Sequence, residues 1–453
     1  MMRRILLAGL CSMLTLTALR AEGRLEAEAR AGLARACRYF SSISTYGGYC
    51  GIYSIDLKER YGEAVYEPAK PTEIWVQPPG TPSVGEAFLR AYRVTNEPVY
   101  LKAAEAAGLA LAWGERAGGG WAHRVDLGHF EPDADSVKRN AGSSSFDDEV
   151  TQGALSFLIK LDVELDTPWL TEAIDLALAF MMESQFANGA WSQWYPLIGG
   201  YHDYFTFNDG AINDCIRVML EAHRAYGRSK YLETARRGGD FIVLSQLPAP
   251  QAGWAQQYSH DLEPAWARKF EPAGVCSAVT AANILTLIDL YRYTGDSKYL
   301  RPILPAIEWL ERSRLKEGGW ARLYEVDSNR PIYGDRNDGG KVHYDYAAIS
   351  AEERSSYAWQ GGYGISTAMR RFQELQESGP DPINQPQADP ATAESRAAAA
   401  ERLVPEVERV LKALDSQGRW IRNQRITSAD FVTNTNLLCR YLDLAGRGKR
   451  GTP

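Results

Sequence analysis

Apolar residues recur along most of the chain at the three- and four-residue spacing of amphipathic helices. Leu89, Tyr92, Leu101, Ala104, Ala107 and Leu111 keep that spacing through residues 84–91 and 99–112. The same pattern predicts three more helix pairs, 152–163 with 169–183, 211–226 with 231–245, and 278–293 with 299–313. The joints are alike: VTNEPVYL, AYGRSKYL and YTGDSKYL each set a polar turn ahead of the aromatic that opens the next helix. A glycine-rich turn ending in tryptophan follows each second helix. It reads GGGW at Trp121, NGAW at Trp191, QAGW at Trp254 and EGGW at Trp320, 63 to 70 residues apart. GGY at Tyr49 and GRW at Trp420 are outlying copies. A helix pair cannot bury its apolar face alone, so such units must stack. The expected fold is all-α. With 24 tyrosines and 12 tryptophans to line a cleft, an α/α toroid is favoured over an open solenoid. Inner helices would form a ring enclosed by outer ones, and the long stretches after the tryptophan turns would carry function at one end.

Composition adds a location and removes some partners. Arg3 and Arg4, the apolar run Ile5 to Leu19, and the small residues Ala18 and Ala21 predict an export signal over residues 1–21. The run falls short of the roughly 20 residues a membrane span needs, so a secreted or periplasmic protein, free of the membrane after cleavage, is expected. Residues 22–378 form the main helical domain in this reading. Residues 379–392 (GPDPINQPQADPAT) are a Pro-rich linker or loop, and helical patterns within 393–447 complete the toroid. A hydrophobic fraction of 45% and a charged fraction of 24% suit a folded globular chain. The net charge of -7 argues against nucleic acid. An acidic polysaccharide would also be repelled, unless a local cationic cleft or a bridging metal ion held it. Cys37, Cys50, Cys215, Cys276 and Cys439 are scattered and lack a CxxC, so neither a disulfide framework nor structural zinc is expected.

Four segments concentrate chemistry. Phe146-Asp147-Asp148-Glu149 sets three carboxylates side by side, more than a helix start requires, and a hard cation with oxygen ligands would relieve them. The loop after Trp191 holds Gln193, Trp194, Tyr201, His202, Asp203, Asn208 and Asp209, of which Asn208 or Asp209 can also serve as a helix cap. Residues 256–271 carry His260, Trp266, Arg268 and Lys269. Residues 329–359 carry Arg336, Lys341, His343, Arg354, Tyr357 and Trp359. Cations beside aromatics suit planar carboxylates and sugar faces.

These segments also carry a resemblance. IWVQPPGTPSVG (74–85), FDDEVTQGAL (146–155), NGAWSQWYPLIGGYHDYFTFND (188–209), LEPAWARKFEPAG (262–274) and the GDR…EER…YAW set resemble polysaccharide lyase family 10, the pectic acid lyases. Family members commonly read FNDD where this chain reads FNDG, with Gly210. The resemblance implies a pectate lyase that cleaves α-1,4-polygalacturonate by calcium-assisted anti β-elimination. Its partner would be pectate or its oligosaccharides, and a monomer is expected. It implies Asp147 and Asp209 as calcium ligands, with Asp148 as the second choice, and Arg268 as the base, with Lys269 as its substitute. Arg336 and Arg354 would bind substrate carboxylates. Trp194, Tyr201, His202, Trp266 and Trp359 would line the cleft. His202 and His260 are rival bases. A glycoside hydrolase on the same toroid, or a non-catalytic binder of pectic oligosaccharides, are the alternative readings.

Overall fold

The computed structural model describes residues 23–128, 141–378 and 392–447. The expected export signal and all but Thr392 of the Pro-rich stretch lie outside them. Helices dominate: α1 (23–42), α2 (Thr81–Thr95), α3 (Pro98–Gly114), α4 (Val150–Leu165), α5 (Pro168–Glu183), α6 (Ala211–Tyr226), α7 (Ser229–Leu244), α8 (Ser277–Thr294), α9 (Ile303–Arg312), α10 (Ala351–Ser356), α11 (Ile365–Ser378), α12 (Ala393–Ala413) and α13 (Ser428–Arg447). Strands among the described residues are two or three residues long, so the chain is all-α as expected. No helix among these residues is long and apolar enough to cross a membrane. The five described cysteines are buried and free.

The chain divides into two compact units. One comprises residues 23–114, 124–128 and 392–447. Here α2 packs on α3 and α13, and α12 on α13. Phe40 of α1 stacks on Phe431 of α13 with ring centroids 4.0 Å apart, and Phe88 of α2 lies 5.4 Å from the same ring. Ile52–Ser54 pairs antiparallel with Arg425–Thr427, Ile52 opposite Thr427. The first and last described helices therefore share one core.

The second unit comprises residues 115–123 and 141–378. In it α4 packs on α5 and α6, α6 on α7 and α8, and α8 on α7, α9 and α11. The joints explain the pairing. Gly227 and Gly295 end α6 and α8 in the left-handed conformation, with φ of 66° and 72°, where glycine avoids the Cβ penalty. The fourth pair departs from expectation. Ser297–Leu300 forms a 3₁₀ turn and α9 starts only at Ile303. Pro302 and Pro305 lack an amide hydrogen, and a proline biases the residue before it away from the helical region.

The tryptophan turns anchor the helices that precede them. The indoles of Trp191, Trp254 and Trp320 donate to the carbonyls of Met181, Ile242 and Leu310, at 2.9, 2.7 and 2.7 Å. Trp420 does the same to Val410 at 2.9 Å. Each acceptor lies near the end of the helix that precedes the turn. A buried indole N–H needs such a partner. The chain then leaves each of these turns from a fixed point.

Candidate functional site

Two short turns, Asp147–Glu149 before α4 and Asn208–Gly210 before α6, share one backbone conformation. Phe146 and Phe207 enter them with φ/ψ of -100°/0° and -99°/-2°. Asp148 and Asp209 then turn left-handed, at 48°/34° and 47°/30°. Glu149 and Gly210 follow, also left-handed, with φ of 60° and 78°. Asp148 thus corresponds to Asp209, and Asp147 to Asn208. A left-handed residue with a side chain costs about 1 kcal/mol or more, so these turns persist because their surroundings hold them.

The turns converge on an acidic cluster. Ligand atoms of His123, Asp147 and Asp148 lie within 4.8 Å of one another, so this group can hold a metal ion. His123 Nε2 is 3.8 Å from Asp148 Oδ2, and its ring lies 5.6 Å from that of Trp194. Gln193, 8% exposed, links the cluster to the next loop. Its side-chain amide draws the Asp147 carboxyl down, and its Oε1 lies 2.5 Å from His202 Nδ1. Burial, and then the Asp148 charge, push the Asp147 carboxyl up. Asp209 keeps an exposed flank, while the protein packed around its carboxyl still withholds water from it. Burial, then Asp147 and Asp148, push it up to about 6, against the pull of Arg322 and Arg268. Asp147 Oδ1 is buried without a hydrogen-bond partner among the described residues. Crowded carboxylates with an unsatisfied oxygen fit a hard divalent cation.

Arginines face this cluster. Arg268 Nε and Nη2 donate to Glu271 at 2.7 and 2.6 Å. Tyr357 donates to the same carboxylate at 2.6 Å. Glu271 is 2% exposed. Burial is the largest influence and would raise its carboxyl, but the bonds and charge of Arg268 and the Tyr357 bond together outweigh it and leave it below the ordinary range. In return, the Glu271 bond raises Arg268 above the ordinary arginine value. Arg268 lies 4.9 Å from the Phe270 ring centroid and Arg336 4.3 Å, while Arg322 lies 4.9 Å from Tyr357. Arg336 is anchored by the buried Glu353, its backbone amide 3.3 Å and its Nε 3.8 Å from that carboxylate. Arg322 donates through Nε to Gln256 at 3.3 Å. No carboxylate lies within salt-bridge distance of it among the described residues. Residues 329–359 reach Arg268 through bare glycine contacts. A Cβ at Gly334 would lie 1.8 Å from the Phe270 carbonyl oxygen, and one at Gly340 2.3 Å from that of Lys269.

The structure brings together Asp147, Asp148, Asp209, His202, Arg268 and Arg336. Tyr201 joins them: its ring lies 4.0 Å from His202, and its phenol feels Arg268, Glu271 and Asp147. Trp194 is half-buried, Trp266 is 44% exposed, and Lys269 is exposed. Arg354 is tied to the loop that carries it, donating to the carbonyls of Ala347 and Ile349. His260 sits on the surface against Phe205, 5.3 Å between rings. Trp359 does not line a cleft mouth. It is fully buried and its indole donates to Glu353 at 3.1 Å, so it supports Arg336 from below. His123, Glu271, Arg322 and Glu353 escaped the sequence reading. Three of the site groups share a signal that was there to find: His123, Gln193 and Arg322 each stand two residues after a repeat tryptophan, and so does Gln256, which holds Arg322.

The sequence profile of the pectic acid lyase family matches residues 115–318 and 319–368. No curated protein sequence matches the chain. Among solved structures, a family 10 polysaccharide lyase from Cellvibrio cellulosa superimposes with a TM-score of 0.52 at 21% identity, over 64% of this chain and 97% of that one. A mutant of a family 10 lyase from the same organism, in complex with trigalacturonic acid, gives 0.50 at 20% identity, over 66% and 98%. At these identities the two structures speak to the fold class alone, the α/α toroid.

Proposed function

The chain belongs to the pectic acid lyase family, and from that premise we propose that it is a pectate lyase cleaving α-1,4-polygalacturonate by calcium-assisted anti β-elimination. One observation carries the finer reading: a crowded acidic cluster that fits a hard cation stands opposite arginines set to receive carboxylates. The uronate ring would lie between them, with aromatic faces at hand in Trp194, Tyr201 and Trp266.

In the elimination a base takes the C5 proton, C4 and C5 form a double bond, and the C4–O bond breaks. The leaving oxygen then takes up a proton from solvent. A divalent cation held by Asp147, Asp148 and Asp209 supplies, when bound, neutralisation of the charge that spreads onto the C6 carboxylate. The residues of the chain do the rest. Arg336, held by Glu353, and Arg322, whose charge lacks a carboxylate partner among the described residues, would take substrate carboxylates. Arg354 is the further clamp of this reading. Gln193 orients Asp147 and His202 against each other.

The proton acceptor proposed is Arg268, with Lys269 as its substitute. Glu271 occupies Nε and Nη2 of Arg268, so Nη1 is the atom that would receive the C5 proton. Because Glu271 favours the charged guanidinium, the neutral form is scarce, and turnover should climb steeply into alkaline pH. The trigalacturonic acid bound by the Cellvibrio mutant supports an oligogalacturonate ligand.

The test is purified protein with polygalacturonate at alkaline pH, with calcium or with a chelator. Turnover should vanish on chelation and fall at least about a hundredfold in Asp209→Ala. Calcium affinity should weaken as pH falls through about 6, where Asp209 takes up a proton. Full activity in chelator would sink the calcium assignment.

A further inference from the structure

Arg217, on the second turn of α6, ties the two acidic turns to each other. Its Nη2 lies 2.5 Å from Glu149 Oε1, on the turn before α4. Its Nε lies 3.0 Å from Asp214 Oδ1, four residues after the turn before α6. Its Nη1 lies 3.1 Å from Glu221 Oε1 on its own helix. One guanidinium thus spends all three nitrogens on carboxylates, and only the Glu149 bond leaves α6.

The two turns differ in the residue that closes them, and that difference makes the arrangement possible. Where the first turn has Glu149, the second has Gly210. A Cβ at Gly210 would lie 2.6 Å from Asp214 Oδ2. The bare glycine therefore leaves room for Asp214 to swing back over the turn and hold Arg217. In the first turn the same left-handed position carries a glutamate. Glu149 accepts a backbone conformation that L side chains disfavour, and its carboxylate is what Arg217 grips. A glycine there would relax the backbone and lose the tie.

Resting on the calcium-assisted reading above, we propose that Arg217 is a positioning residue that fixes the distance between the first carboxylate pair, Asp147 and Asp148, and Asp209. The like charges of these aspartates push the turns apart when no cation is present. The Arg217–Glu149 pair holds them together, so the site is set before the cation arrives. Such preorganisation should appear as affinity for the cation, beyond any effect on folding.

Isothermal calorimetry of calcium binding to the full-length protein, with melting curves on the same samples, tests this. Glu149→Ala cuts only the tie between turns and should raise the calcium Kd about tenfold. Arg217→Met, which also frees Asp214 and Glu221, should raise the Kd at least as much, and the double variant should be no weaker than Arg217→Met alone, because the Glu149 bond is already lost there. A calcium Kd unchanged in Glu149→Ala would overturn the proposal, whatever its melting temperature. So would effects that add in the double variant. Should Arg217→Met fail to fold, Glu149→Ala alone decides. If the wild type binds calcium and eliminates while Glu149→Ala binds as tightly, this inference fails and the proposed function stands. A wild type that neither binds calcium nor eliminates overturns both.

Discussion

Glu271 and Arg268 work against each other. A proton acceptor must be neutral part of the time, yet the bond from Glu271 keeps the Arg268 guanidinium charged. This opposition separates two roles. Glu271→Gln removes the group that raises Arg268, so its pKa falls and its neutral fraction grows at any alkaline pH. If Arg268 takes the C5 proton, kcat in the variant rises at a given pH and its pH profile shifts to lower pH. If Arg268 is a cationic clamp, kcat/KM falls at every pH and the profile keeps its shape. The pH dependence of kcat for the two proteins decides. Glu271 also shows what the sequence hides. The acidic turns and Arg268 stand out as runs and motifs. Glu271 is one glutamate among many, and only its burial beside Arg268 and Tyr357 marks it. Arg322 was legible in principle, because its offset from Trp320 repeats that of Gln193 from Trp191. The offset acquires meaning only once the tryptophans are seen to anchor the chain.

At the scale of the element, the repeat turns could be read directly, since a buried indole and a left-handed glycine both demand particular residues. Helix spans followed from apolar spacing, and 211–226 was met to the residue. The fourth pair was misjudged because Pro302 and Pro305 override periodicity. Glycines in these turns are not equivalent. Gly189 has φ of 94° and a Cβ there would lie 2.0 Å from the Arg237 carbonyl oxygen, whereas Gly227, with φ of 66°, has open space around it. Gly189→Ala should therefore cost both conformational strain and overpacking, about 3 kcal/mol together. Gly227→Ala should cost the strain alone, about 1 kcal/mol. Denaturant unfolding of both variants checks this, and equal losses would contradict the anchoring role given to the turn.

For the whole molecule, the all-α class followed from the repeat alone. The division into two compact units did not, because helices at the two ends of the chain share a core that no local pattern announces. The site residues discussed above all belong to the second unit. A net charge of -7 disfavours an anionic polymer at long range, which makes the arginine face and the cation complementary requirements. The central claim is that this chain breaks its polymer by elimination. It is tested most directly by mass spectrometry of polygalacturonate fragments made with calcium in ¹⁸O-labelled water, with near-ultraviolet absorbance followed alongside. The account predicts new non-reducing ends that are one water lighter than saturated galacturonate, carry a conjugated double bond and hold no label. Saturated ends, with one labelled oxygen at each cut and no rise in absorbance, would mean hydrolysis and would contradict it.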